Sequence, residues 1–179
     1  MSQPASYLPR RIIGLGLAGV VYLIDRWVKA LMLGQLQLRE RGVIDLLPFF
    51  DLRWTENRGV SLGLLTASSM EMRWLLVAMT GAIALLVFVW MLREKAWADI
   101  AALALVLGGA LGNIHDRWSF GFVIDYADLH FGAFRPFLIF NLADAAITIG
   151  VLIILARSFL SREKPRTDET SAAPAATES

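Results

Sequence analysis

Trp74 to Leu92 is a run of nineteen residues without a charge, and it constrains everything around it. As a helix rising about 1.5 Å per residue, it is long enough to cross a hydrocarbon core of roughly 30 Å. Three further segments have comparable reach. Ile12 to Leu33 reads as one helix, with Asp25, Arg26 and Lys29 toward an interface. Ile100 to Ile114 is rich in Ala, Leu and Gly and runs into His115-Asp116-Arg117. Pro136 to Ala156 carries Asn141 and Asp144 near its start. Lipid offers no partner to backbone polar groups, so helices that bond internally are the expected form. The pattern predicts a membrane all-α core of four transmembrane helices, over about residues 11–31, 73–93, 99–117 and 137–158.

Composition agrees with that class. The chain is 56% apolar and only 18% charged, against about a quarter charged in soluble domains, and its mean hydropathy is +0.56. A formal charge of +1 gives no support to a nucleic-acid partner, and none is expected. With no cysteine, disulfides, thiolate zinc sites and a catalytic thiol are excluded. Two histidines, His115 and His130, make a histidine-rich metal centre an unsuitable reading, so no metal site is expected. Arg10-Arg11 and the apolar run after them imitate a signal peptide. Asp25-Arg26-Trp27 stands where small residues would mark a cleavage site, so the first segment reads as an uncleaved helix.

Four spans put both termini on one side. Arg10, Arg11, Arg93, Lys95 and Arg157 cluster tightly at helix ends there, which favours cytoplasmic termini. The connection from Gly34 to Arg73 is long enough to carry structure of its own. Within it Phe50-Asp51-Leu52-Arg53-Trp54-Thr55 alternates apolar and polar, the period of a strand with one buried face. Gly121 to Phe131 also contains strand-like residues. A small extracytoplasmic β-sheet packed on the outer membrane face is expected. The Ser/Thr/Ala/Pro/Glu-rich residues 163–179 read as a disordered cytoplasmic tail, leaving residues 1–162 as a single integral membrane domain.

Carboxylates inside such a chain are costly unless they face protein, a partner or water. Asp144 lies within an apolar stretch, and Asp125 ends the run Phe122-Val123-Ile124. Each has an ordinary reading, Asp144 as a helix-start aspartate near the positive dipole end and Asp125 as a strand-end residue. Asn113, Asp116 and Arg117 share a helix face, as do Asn141 and Asp144; a simple helix end with local ion pairs would give the same spacing. Asp25 and Lys29, four apart, permit a helix ion pair. Asn57-Arg58-Gly59 reads as a turn in which Gly59 is free to take positive φ. Together Asp25, Asn57, Asn113, Asp116, Arg117, Asp125, Asn141 and Asp144 map to one face of the membrane. That clustering is what a site at the membrane surface produces.

These stretches resemble the lipoprotein signal peptidases, the signal peptidase II family of aspartyl membrane enzymes. The resemblance is carried by Asp25, Asn57-Arg58-Gly59 and Gly112-Asn113-Ile114-His115-Asp116-Arg117. Val123-Ile124-Asp125-Tyr126 and Phe140-Asn141-Leu142-Ala143-Asp144-Ala145-Ala146-Ile147 complete it, over about residues 10 to 160. Two departures are Val60-Ser61-Leu62, where small residues and an aromatic are usual, and His115, in a place more often apolar.

The resemblance implies an endopeptidase of the bacterial inner membrane that removes signal peptides from diacylglyceryl-modified prolipoproteins, cutting just before the lipidated cysteine. It implies Asp125 and Asp144 as the catalytic dyad near the outer leaflet, with Asn113, Arg117 and Asn141 orienting substrate or dyad. By the same carry-over Asp116 fixes Arg117, while Asp25, Asn57 and Gly59 support the site or contact substrate. No cofactor is required, membrane lipids are the other expected partner, and a monomer is expected. The physics is independently sensible: two close carboxyls in a poorly hydrated site resist joint ionisation, so one keeps a proton. The rival readings are a small transporter or channel subunit with proton- or cation-carrying aspartates, and a membrane-anchored assembly factor that uses the long outer loop.

Overall fold

The computed structural model describes residues 8–59 and 70–162. The chain begins with α1 (Leu8–Leu33), a short α2 (Leu38–Arg41) and the strands β1 (Val43–Leu47) and β2 (Phe50–Asn57). Then follow α3 (Met70–Arg93), α4 (Trp97–Phe120), β3 (Val123–Leu129) and α5 (Leu142–Arg162). Val60-Ser61-Leu62 and the expected tail lie outside the described residues.

α4 is the hub, packed against α1, α3 and α5. Its middle turns are buried and small, so backbones approach closely, as helices in lipid do when packing rather than hydrophobicity drives association. Gly112 shows the consequence: a Cβ there would run into the Asp25 carboxylate of α1, with Ala143 of α5 already in contact distance. Ala18, Ala84, Met91, Ile100, Leu103 and Leu107 form the core where α1, α3 and α4 meet. By contrast α3 buries only Ala84 and Met91 and exposes Leu75, Leu85 and Leu86, a face that suits lipid and not water.

Three helices, α3, α4 and α5, are long and apolar enough to cross a membrane. α1 is an unbroken helix of 26 residues, but its length includes Asp25, Arg26 and Lys29. These charges keep it from reading as a span by composition.

The expected sheet is present: β1, β2 and β3 form an antiparallel three-stranded sheet in that order. β2 covers the alternating segment anticipated from the sequence, and Thr55 and Asn57 stand opposite Asp125 and Val123. A second core of Met32, Leu38, Leu52, Phe122, Ile124, Tyr126 and Ala127 packs the sheet against the end of α1 and α2.

Each helix departs from its expected span at one end or both, and two of these boundaries bear on the site. α4 continues to Phe120, where Gly121 takes φ +85° and returns its N–H to the Arg117 carbonyl. Arg73 of α3 also donates to the Arg117 carbonyl at 2.8 Å and to that of Trp118. α5 starts at Leu142, not near residue 137. Pro136 lacks a donor, and Phe140 pairs with β3, exchanging hydrogen bonds with Ala127 at 2.8 and 3.1 Å. Asn141 therefore stands at the threshold of the helix rather than within it.

Gly112→Ala is expected to displace the Asp25 carboxylate and with it α1 from α4. Overpacking of this kind costs about 1–3 kcal/mol, to be read as a lowered thermal unfolding midpoint in detergent; an unchanged midpoint would mean that the helices yield without strain.

Candidate active site

The N-terminus of α5 is the best-secured part of the site. A helix leaves its first amides without internal partners, and here three elements supply them. Leu142 N–H donates to the Tyr126 hydroxyl of β3 at 3.2 Å, and Ala143 N–H to Asp25 Oδ1 of α1 at 3.1 Å. Asp144 N–H donates to Asn141 Oδ1 at 2.9 Å. Asp144 Oδ2 accepts in turn from Asn141 N–H at 3.3 Å. This is a reciprocal capping box with Asn at the cap and Asp at its third position. The ordinary reading of Asp144 as a helix-start residue is thus fulfilled, yet its other oxygen is engaged elsewhere.

That oxygen, Asp144 Oδ1, accepts from Asn113 Nδ2 of α4 at 2.8 Å. Asn141 Nδ2 donates both to Asn113 Oδ1 at 3.2 Å and to Asp125 Oδ1 at 2.6 Å. Two asparagines therefore bridge the two aspartates. Asn57, at the end of β2, also hydrogen-bonds Asp125. Gly59, at φ +99°, donates its N–H to Asn57 Oδ1 at 3.0 Å, which commits that oxygen and leaves the amide nitrogen for Asp125. A side chain at Gly59 would be strained by the φ and would strike Leu76 of α3.

Behind this layer lies a buried ion network. Lys29 is fully buried and lies 2.9 Å from Asp25 and 2.7 Å from Asp116, with Asn113 Oδ1 3.4 Å away. Asp116 also pairs with Arg26 at 2.5 Å and accepts the Ile124 N–H of β3 at 3.2 Å. The expectation that Asp116 fixes Arg117 is corrected here: its oxygens are taken by Arg26, Lys29 and β3. Arg117 lies in the field of Asp144, Asp125 and Asp116 without a hydrogen bond to Asp116, and its buried Nε has no hydrogen-bond partner among the described residues.

Burial, and then the neighbouring Asp144, push the Asp125 carboxyl up to about 6 despite hydrogen bonds from Asn57 and Asn141. Burial also raises the Tyr126 phenol, so it meets Leu142 as a neutral hydroxyl. An arrangement of two carboxyls, one reluctant to ionise, with an unpaired guanidinium nitrogen beside them can manage a proton and steady a developing negative charge.

All nine residues singled out from the sequence converge on this region. Sequence reasoning treated Lys29 only as a helix partner of Asp25 and assigned Arg26 no role. The signal available was a lysine one turn from a carboxylate inside an otherwise apolar helix. Tyr126 lay in a quoted motif without a function. His115 is apart: its Nδ1 meets the Tyr22 hydroxyl at 2.8 Å across a groove lined by Leu111, Ile114 and Trp118.

Two solved bacterial membrane enzymes have a similar architecture. A bacterial membrane enzyme solved by the in meso method at 1.9 Å resolution superposes with a TM-score of 0.70, covering 85% of this chain and 94% of its own at 26% identity. A second, solved at 2.3 Å, gives a TM-score of 0.67 at 23% identity, covering 90% and 94%, and shares the fold. The family model for signal peptidase (SPase) II matches residues 17–160. The lipoprotein signal peptidase of Rhizorhabdus wittichii is 55% identical over 153 residues, 86% of this chain and 89% of its own length. That of Sphingopyxis alaskensis is 53% identical, covering 84% and 87%. The chain belongs to the signal peptidase II family, a family of membrane proteases. Membership leaves the transporter reading without support.

Two stability measurements probe the site. Lys29→Met leaves the buried Asp25 without its cation and Asp116 with Arg26 alone, and is expected to cost about 3–5 kcal/mol, measured by denaturant unfolding in detergent; a loss under 1 kcal/mol would show that water or a shifted cation replaces the lysine. Asp125→Asn should act in the opposite direction. A carboxyl raised from 3.8 to about 6 on folding lends stability that is complete below pH 4 and lost as pH rises through 6. The Asn variant escapes that loss, so it should exceed wild type by at most roughly 3 kcal/mol at pH 7, with the difference closing below pH 4.

Proposed function

We propose that the chain is an aspartyl endopeptidase that cuts diacylglyceryl-modified prolipoproteins just before the lipidated cysteine, with Asp125 and Asp144 as its catalytic pair. The observation that carries this reading is the Asn113–Asn141 bridge, which joins the two carboxylates and leaves no other acidic pair so placed among the described residues. The relatives named above are lipoprotein signal peptidases, which supports the substrate class.

In this reading the pair shares one proton. The ionised member takes a proton from a water attacking the scissile carbonyl while the protonated member hydrogen-bonds the carbonyl oxygen as charge develops there, and a proton then passes from the pair to the leaving nitrogen as the C–N bond breaks. Arg117 offers its unpartnered Nε to a substrate carbonyl. Asn113, Asn141, Asn57 and Gly59 hold the carboxyls in register, and Asp25 and Asp116 hold the segments that carry them. The lipid anchor of the substrate supplies positioning, since it restrains the scissile bond to the interface.

For topology, α1 is the fourth span. Its 26 residues reach about 39 Å, and Asp25 and Lys29 are fully buried against α4 and α5 rather than facing lipid. The end of the bundle opposite the dyad gathers Arg10, whose guanidinium meets the Lys95 carbonyl at 2.9 Å, with Arg93 and with Arg157 paired to Asp99. That basic end suits the cytoplasm and both termini, placing the dyad and the sheet at the outer leaflet of the inner membrane. The unit is a single domain acting as a monomer, followed by a cytoplasmic tail.

Cleavage of a diacylglyceryl-modified prolipoprotein by purified wild type, Asp125→Asn and Asp144→Asn tests the chemistry. Both variants should lose at least about a thousandfold in turnover while remaining folded. Turnover near the wild-type rate in either would remove that residue from the dyad.

A further inference from the structure

The end of the sheet farthest from α4 carries an apolar rim that neither the spans nor the dyad explains. Two turns form it. Leu47 ends β1 and Phe49 lies in the β1–β2 turn; Phe131, Phe134, Phe137 and Leu138 belong to the connection between β3 and α5. The turns are neighbours, because Phe50 pairs with Leu129 and the His130 N–H donates to the Phe49 carbonyl at 3.0 Å. Phe131 is 59% exposed, Phe134 66% and Leu138 78%. These residues lie outside the membrane-spanning helices, so the lipid that covers α3 does not account for them.

The orientation of the sheet decides what they meet. β3 has seven residues, about 23 Å of strand, leading away from the outer end of α4. Were the sheet upright, the rim would stand in water more than two turns of helix above the bilayer, with four aromatic rings exposed. Were it flat, the rim would lie level with Trp74 and Trp118, whose rings meet edge to face with centroids 4.8 Å apart and mark the outer ends of α3 and α4. Composition favours the second. Between Asp128 and Asp144 there is no acidic residue, and Arg135 is the one charge. Aromatic and aliphatic side chains whose one neighbouring cation is already paired with a buried carboxylate are the chemistry of a lipid interface. Contiguous exposed apolar surface of this kind marks a contact with another apolar phase.

We propose that this rim is inserted among the acyl chains of the outer leaflet, so that the sheet lies along the membrane and holds Asp125, midway along β3, at the depth of the interface. The inference rests on the proposed placement of the dyad end at the outer leaflet. It specifies a second membrane anchor besides the helices, and its partner is bilayer lipid rather than a protein. Arg53 and Arg135, both on Asp128 at 2.9 and 3.1 Å, fix the connection to the sheet from behind, so the rim moves with β3.

The absence of cysteine allows a clean test. Phe134→Cys and Phe49→Cys, each carrying a single nitroxide label, would be reconstituted in nanodiscs of phosphatidylethanolamine and phosphatidylglycerol, with Leu86→Cys on α3 as the lipid reference. Collisions with oxygen exceeding those with a water-soluble nickel chelate at both rim sites, as at Leu86, are the expected result. Nickel collisions exceeding oxygen would put the rim in water and overturn the proposal. Low collisions with both would mean that protein covers it, a second copy or another segment of the chain, and would overturn it equally. Prolipoprotein cleavage by the same labelled proteins is read separately: lipid-like collisions without cleavage by wild type would count against the proposed chemistry and leave the rim where it was placed.

Discussion

Lys29 is the charge on which the site depends. Its ammonium group is fully buried between Asp25 and Asp116, and each of those carboxylates holds the backbone of a different segment. Asp25 accepts the Ala143 N–H at the head of α5, and Asp116 accepts the Ile124 N–H next to Asp125 in β3. Unneutralised, either carboxylate would be too costly to bury. One cation on α1 thus lets two segments from distant parts of the chain be fastened side by side. A buried ion network of this kind is weak evidence for added stability; its use here is to fix geometry.

The second layer converts that geometry into chemistry. The three leading amides of α5 are satisfied by Tyr126, Asp25 and Asn141, so the position of Asp144 follows from helix termination itself. Asn113 then serves two masters, its oxygen facing Lys29 and Asn141, its nitrogen donating to Asp144. Because an amide has distinct donor and acceptor ends, the cation behind it dictates which end meets the carboxylate. The same logic recurs at Asn57, whose oxygen is occupied by Gly59. Amides oriented in this way need no rearrangement as charge moves in the site, the condition for electrostatic preorganisation.

The helices and the sheet divide the work by solvent. α3, with its face of exposed leucines, needs only to be apolar, whereas α4 must be small where α1 and α5 press on it. The sheet brings Asn57 and Asp125 together through the register of β2 and β3 and rests on an apolar core shared with α1. A hydrolytic centre can then be assembled at the bundle's end without interrupting the helices inside lipid, where unbonded backbone would be intolerable.

Much of this was legible in the residues. The uncharged run of α3, the alternation that became β2, and the placement of Asp125 and Asp144 in apolar surroundings follow from local patterns with one physical meaning each. The resemblance to the family added the proposal that these two carboxylates act as a pair. Boundaries were less legible: Pro136 to Phe140 has the hydropathy of a span but pairs with β3, because a hydropathy pattern records only a preference for an apolar phase and cannot distinguish lipid from a sheet edge. Partner choice was hidden altogether. Asp116 adjoins Arg117 in sequence yet bonds Arg26 and Lys29, some 90 residues away. Adjacent positions on a helix point in different directions, and only the docking of α1 on α4 brings those cations within reach. Sequence by itself determined the membrane class, the helical core and the candidate carboxylates, since these depend on the cost of placing each side chain in lipid. Tertiary structure decided which charges meet and which atoms remain free, since those depend on distances between segments that no local pattern encodes.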